Sequence, residues 1–468
     1  MRIHVVQRGE SLWGISQQYN IPINQIILIN EIDNPDILVI GQALVIPDLM
    51  REYVIQPGDK LESIASRYGV TVRELAAANQ IMNPSLIYAG QMLVLPYFPH
   101  VVRQGESLWS IASSYGIPLT QLLQATSILN PSLIYAGQTI RIPNIRPSIE
   151  VNAYATEFDE AGRQEVLRLG RNFTYLSSFM YSIREDGSLT ELQDKPVLDA
   201  ARLNGVAPLL TLTNFRNSEF NSDLAATILR SASIQETLIA NVIQEIRDKK
   251  AGGINIDFEY VYPEDRENYN AFLRRMVESL HPLGYLVSTA VAPKTSADQK
   301  GILYEAHDYK AHGEIVDFVV VMTYEWGWAG GRPWAIAPIN EVRKVLDYAV
   351  TEIHRDKIMM GIPLYGRDWK IPWQQGTFAR TVSPKEAVQL AARYGASIQY
   401  NQTYQSPFFR YVDESDQEHE VWFEDARSIQ AKYETVKEYG LRGVGYWVLG
   451  SPFPQNWPVL QSNFIIQK

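Results

Sequence analysis

The chain has no cysteine among its 468 residues, which excludes disulfides, thiolate chemistry and cysteine-ligated metal sites. Such a composition fits a protein that must survive outside the cytosol without redox control. No apolar run approaches the ~18 residues of a membrane span, so no membrane partner is expected. The N-terminus, Met1-Arg2-Ile3-His4-Val5-Val6, lacks a signal peptide's long apolar core and small-residue cleavage site, so classical secretion has no support. Positive charge is not in excess either, and a net charge of −10 argues against nucleic acid as the main partner. The 7 histidines show no metal-ligand spacing, so neither metal nor cofactor is expected. What is present is globular: 46% of residues are hydrophobic and 20% charged. The length suggests two to four domains at roughly 150 residues each.

The negative charge is uneven. Residues 1–147 carry 9 basic and 10 acidic side chains, and the remainder carries 33 and 42. The near-neutral part is an internal repeat. Val5-Val6-Gln7-Arg8-Gly9-Glu10-Ser11-Leu12-Trp13 returns at Val54–Glu62 and again at Val101–Trp109. Each copy closes alike: Asn34-Pro35 then Gly41-Gln42, Asn83-Pro84 then Gly90-Gln91, Asn130-Pro131 then Gly137-Gln138. Between these ends lie two short helical patterns, and each copy finishes in a strand-like run stopped by proline. This strand–helix–helix–strand unit resembles the LysM domain, a βααβ module that binds N-acetylglucosamine-containing glycans such as peptidoglycan and chitin. Units are expected at 1–48, 51–97 and 99–144.

The LysM resemblance implies a shallow sugar groove between the loop after the first strand and the loop before the second. In the first unit it would use Gly9, Ser11, Leu12, Asp36, Ile37 and Leu38. The second would use Gly58, Lys60, Leu61, Ser85, Leu86 and Ile87. The third would use Gly105, Ser107, Leu108, Ser132, Leu133 and Ile134. Lys60 departs from the usual Ser or Thr. Linked weak sites on one polymer gain effective concentration without new contacts. The composition change and the proline junction near Pro147 suggest that these units are separable from the rest of the chain.

From Ile149 onward eight apolar strand-like runs alternate with helical segments. They are Val151–Thr156, Thr174–Tyr181, Ala207–Asn214, Gly253–Glu259, Leu286–Pro293, Val316–Tyr324, Lys357–Leu364 and Gly443–Leu449. The pattern predicts an α/β (β/α)₈ TIM barrel over 149–468. A doubly wound sheet is the alternative, but no Gly-rich phosphate fingerprint comes after the first strand. The long gap before Gly443 predicts a small inserted α+β subdomain at about 366–436.

The fourth run carries the chemistry. In Gly253-Ile254-Asn255-Ile256-Asp257-Phe258-Glu259, strict alternation puts Asn255, Asp257 and Glu259 on one face. A strand between two helices is usually buried on both sides, so three polar groups would share an interior line. Glu259 is expected as the strand's last residue, at the reactive end of the barrel, with Asp257 about 6.5–7 Å deeper. Two desolvated acids so close push their pKa values apart, leaving one protonated.

This segment resembles strand four of the family 18 glycoside hydrolases (chitinase-like), Asp-x-x-Asp-x-Asp-x-Glu, with Gly252 and Asn255 in the first two aspartate places. Met322-Thr323-Tyr324-Glu325, Gly361–Arg367 and Gly445-Tyr446-Trp447 extend the resemblance through strands six to eight. The family implies Glu259 as general acid/base, with the substrate's own 2-acetamido oxygen as nucleophile. Asp257 would orient the acetamide N–H, Tyr324 would donate to its oxygen, and Trp447 would floor the −1 sugar. Asn255, Met322, Glu325, Tyr365 and Arg367 would complete the binding site. Tyr154, Phe179 and Asn214, at the ends of strands one to three, either line the cleft or pack the barrel. Tyr260, Tyr262, Trp326 and Trp328 lie just beyond strand ends, where aromatics more often meet sugar.

LysM units joined to this barrel resemble the spore cortex-fragment-lytic N-acetylglucosaminidases of spore-forming bacteria, a group whose members more often carry two LysM units. That resemblance implies β-1,4 cleavage after N-acetylglucosamine, with spore association or, alternatively, an extracellular or cell-wall location. Peptidoglycan or chitin-type polymers would be the partners of a monomer. A chitinase and a non-catalytic glycan-binding protein are the competing functions.

Overall fold

The computed structural model describes residues 1–126, 128 and 134–468. Three small units precede a closed barrel. In the first, Arg2–Val5 pairs antiparallel with Ala43–Ile46 around helices Leu12–Tyr19 and Ile23–Asn30. Glu52–Val54 and Met92–Val94, then Tyr97–Val101 and Thr139–Pro143, repeat the arrangement. The first helix starts where a serine caps it: Ser11 accepts from Gly14 N–H and Ser107 from Ser110 N–H. In the second unit Lys60 holds the cap position, and an ammonium has no lone pair to offer. Only the reciprocal half is made there, with Ser63 Oγ accepting from Lys60 N–H at 3.3 Å.

Eight parallel strands come next, in the order of the chain, and close when Gly443–Trp447 pairs with Ser148–Ala155. The other six are Tyr175–Ser182, Ala207–Thr213, Gly253–Asp257, Leu286–Val291, Phe318–Val321 and Ile358–Pro363. Alternation sets the two layers. Tyr154, Tyr175, Leu209, Ala290, Phe318, Val320 and Met359 fill the interior, while Val151, Leu210, Ile254, Val319 and their neighbours pack outward on the helices. Strand four stops at Asp257, so Glu259 lies two residues beyond the sheet rather than at its last position.

After strand seven the chain builds an antiparallel sheet from Gly366–Ile371, Arg380–Val382, Gln399–Asn401, Ser406–Val412 and Glu418–Trp422, with helix Pro384–Arg393 on it. The helix Ala426–Tyr439 contributes Ile429, Tyr433 and Val436 to the main core, so residues 426–436 of the expected insertion belong to the helical shell of the barrel.

The first two units are not strung out on a tether. Ile29, Val45, Val54, Met92 and Val94 are continuous with the main core around the barrel, and Val39 joins the core of the inserted sheet. A Cβ on Gly41 would collide with the Ile398 carbonyl oxygen, so only glycine permits that approach. Arg171 donates to Met92 C=O at 3.0 Å, Arg146 to Ala78 C=O at 2.8 Å, and Arg427 to Gly41 C=O at 3.1 Å. The third unit contacts the second: Arg141 donates to Gly69 C=O at 2.9 Å, and the Arg51 guanidinium lies 4.1 Å above the Phe98 ring.

Candidate active site

Strand four runs between strands three and five, and its polar residues enter the barrel. Asn255 is fully buried and bonded across the interior: it accepts from Tyr154 OH at 2.9 Å and donates to Ser288 Oγ at 2.9 Å. Its amide therefore braces strands one, four and five rather than facing the cleft. Asp257 is buried as well, and its Oδ1 has no protein donor. An acceptor stripped of water and left unpaired is costly unless a ligand N–H completes it.

Glu259 is half-buried, and Asn214 holds its main chain through two hydrogen bonds, at 3.1 Å and 2.8 Å. The Asn214 amide is thus committed to backbone and does not line the cleft as a free group. Burial raises the Asp257 carboxyl well above the ordinary carboxylate range. Burial, then the charges of Asp257 and Glu325, raises that of Glu259. The pair titrates as a unit that retains a proton above the usual carboxylate range.

Tyr324 lies three residues past strand six and is 9% exposed. Burial first, then neighbouring Tyr154, Tyr365, Asp257 and Glu259, keeps its phenol protonated and able to donate. Gly361 makes room for it: a Cβ there would stand 2.8 Å from the Tyr324 ring. Glu325, at φ +69°, accepts from Tyr365 OH and from Arg367 at 2.9 Å, and the guanidinium lies 4.8 Å over the Tyr365 ring. Tyr365 and Arg367 thus hold the Glu325 carboxylate. Trp447 ends strand eight, with Phe179 edge-on at 4.7 Å and Tyr154 at 5.5 Å. Met322 packs beside them in the interior cluster.

Among the rim aromatics, Tyr260 and Trp328 are exposed, Trp326 packs on the core, and Tyr262 donates to Asp223 at 2.8 Å. The sequence pattern singles out neither Ser288 nor His307. His307 sits in a loop well past strand five with no motif around it, so only folding reveals its contact with strand four. Among the described residues, no group of three or more histidine or acidic side chains is arranged to hold a metal ion.

In the small units, Gly9, Ser11, Asp36, Ile37, Gly58, Lys60, Ser85, Gly105 and Ser107 are exposed, and Leu38, Leu86, Ile87 and Ile134 are half-buried. Leu12, Leu61 and Leu108 are core residues, since each enters its unit's apolar cluster, so these three offer no side chain to a groove. Ser132 and Leu133 lie outside the described residues.

Known proteins share this architecture. Residues 213–451 match the glycosyl hydrolases family 18, and residues 4–47, 53–96 and 100–143 match the LysM domain. The chain is 46% identical to a cortical fragment-lytic enzyme of Bacillus subtilis (strain 168), over 100% of this chain and 99% of that protein. It superposes on the spore cortex-lytic enzyme SleL of Bacillus megaterium QM B1551 with a TM-score of 0.78 and 37% identity, covering 100% and 98% of the two chains. A chitinase of Chromobacterium violaceum aligns at TM-score 0.62 and 26% identity, covering 67% of this chain and 98% of that one. The chain therefore belongs to the glycosyl hydrolases of family 18, with three LysM domains preceding its catalytic barrel.

Proposed function

We propose that the chain is an N-acetylglucosaminidase acting on spore cortex peptidoglycan fragments, retaining configuration through substrate assistance. The observation that carries this reading is Asp257: a buried carboxylate oxygen without a donor, on the strand that leads to Glu259. An acetamide N–H of the −1 sugar completes it, which turns the acetamide oxygen toward C1.

Glu259 then gives its proton to the glycosidic oxygen as the C1–O bond breaks. The acetamide oxygen bonds to C1, and Asp257 stabilises the resulting oxazolinium. Tyr324 donates to the acetamide oxygen, and Trp447 stacks on the distorted ring. In the second step the Glu259 carboxylate takes a proton from the water that attacks C1 and reopens the oxazolinium. The likeness to the cortical fragment-lytic enzyme and SleL supports cortex as the substrate and the spore as the place of action. The LysM units bind the same glycan.

Substrate assistance requires an acetamide on the −1 sugar. Muramic δ-lactam, whose nitrogen is tied into a ring, is excluded there and accepted at +1. Cortex fragments digested by the enzyme, reduced with borohydride and analysed by mass spectrometry will yield glucosaminitol. Reduced muramic acid would overturn the specificity, and an initial α anomer by NMR would overturn the mechanism. Faster cleavage of chitin oligomers than of cortex fragments would make the enzyme a chitinase instead.

A further inference from the structure

The acid of the proposed mechanism sits where the sheet no longer holds it. Ladder hydrogen bonds fix a backbone only as far as the pairing runs, and strand four ends at Asp257. The main chain beyond is held by side chains from both neighbours. On one side is Asn214, fully buried, just past strand three. Its Oδ1 accepts from Glu259 N–H at 3.1 Å and its Nδ2 donates to Glu259 C=O at 2.8 Å. The amide is itself anchored: Nδ2 also donates to Asn221 C=O at 3.1 Å, and Asn221 N–H donates to Asn214 C=O at 2.9 Å.

On the other side His307, also buried, donates from Nε2 to Phe258 C=O at 2.9 Å. Its Nδ1 accepts from Ala292 N–H, just past strand five, at 2.9 Å. These two partners select the neutral Nε2–H tautomer.

We propose that Asn214 and His307 are positioning residues: a backbone clamp that replaces the missing ladder and aims the Glu259 carboxyl at the glycosidic oxygen. The chemistry is specific. A side-chain amide carries a donor and an acceptor spaced to meet one residue's C=O and N–H, whereas aspartate lacks the donor and leucine lacks both. This proposal rests on Glu259 being the general acid, and the test separates the two.

Loss of an aimed acid harms a leaving group that needs a proton far more than one that does not. Two probes are therefore compared on the full chain: 4-nitrophenyl glycosides of N-acetylglucosamine oligomers, and the unactivated glycan that the wild type cleaves. Asn214→Ala and His307→Leu should each lower kcat on the unactivated glycan by about 10²-fold, the scale of a 1 Å misplacement. KM should stay within about twofold, and turnover of the nitrophenyl glycosides within about threefold, because those bonds need little acid assistance. His307→Gln keeps a donor toward Phe258 and should restore most of the loss. Equal loss on both probes, or no difference between His307→Leu and His307→Gln, would overturn the clamp. Should Asn214→Ala fail to fold, the His307 pair decides. Glu259→Gln is run in parallel. Full activity of that variant on the unactivated glycan would remove the acid assignment itself, whereas selective loss in Glu259→Gln alone would remove only the clamp.

Discussion

Asp257 and Glu259 stand two residues apart in a water-poor interior, and this arrangement works against stability. Burial disfavours their charged forms, so the folded state holds protons that the unfolded chain has already released. The sign comes from that difference. Between the ordinary glutamate value of 4.5 and the raised folded value, the native state binds more protons, so stability falls as pH rises through the window. Glutamine at position 259 has no proton to lose. Glu259→Gln should therefore cut turnover by about 10²–10⁴-fold while stabilising the protein near neutral pH. Thermal unfolding of both proteins from pH 4 to 8 checks it, and the gap should widen as pH rises. A constant gap would mean that Glu259 carries an ordinary pKa.

The loop after strand five works in the opposite sense. It brings in the buried His307, and the helix Tyr309–Ile315 that follows brings in His312, with burial holding His307 down at about 4 and His312 at about 3. Lys294 faces His307, while His312 meets Thr289, Tyr269, Asp308, Lys294, Arg266 and His307 itself. Unfolded histidines take up protons below about pH 6.5 and the folded ones do not, so stability should fall as pH drops from about 6.5 to 4. The slope for two such groups approaches about 2.7 kcal/mol per pH unit. Because Asp257 and Glu259 pull the other way in part of this range, the measurement belongs in the Glu259→Gln background. There His307→Gln should lower the slope by up to about 1.4 kcal/mol per pH unit in urea titrations, and an unchanged slope would place the proton elsewhere.

At the scale of the whole molecule, the first two LysM units form part of the barrel's outer core. Ile29, Val45, Val54, Met92 and Val94 meet apolar side chains of the helical shell, and Arg146 and Arg171 donate to carbonyls of the second unit. Removing residues 1–147 would bare this surface and strip the Met92 carbonyl from the buried Arg171 guanidinium. The isolated barrel should melt about 5–10 °C lower than the full chain and aggregate on heating, a shift worth several kcal/mol. Calorimetry and light scattering on both proteins test it, and an equal melting temperature would show the units to be energetically independent. A rigid mount also changes how the units serve binding. Any sugar groove on the first two units would keep a fixed direction relative to the barrel, so the gain from linkage would depend on glycan geometry more than on tether length.

The sequence by itself determined the parts whose signal is local. Apolar runs separated by helical segments gave the eight strands, the repeated Gly9, Gly58 and Gly105 loops gave three units, and the alternation through Asn255, Asp257 and Glu259 gave the polar line. Local pattern says which face a side chain leaves from, but not what it meets. That Asn255 is held by Tyr154 and Ser288, that Asn214 grips the Glu259 backbone, and that His307 reaches Phe258 all depend on contacts between residues far apart in the chain. The end of strand four is decided the same way, because a strand stops where its neighbours cease to pair, and those neighbours lie about 30–45 residues away. Likewise, composition and the Pro147 junction suggested separable units, while the apolar faces of those units and of the barrel shell lie against each other in one core. Apolar burial is indifferent to position along the chain, so only the folded arrangement fixes where one cooperative body ends.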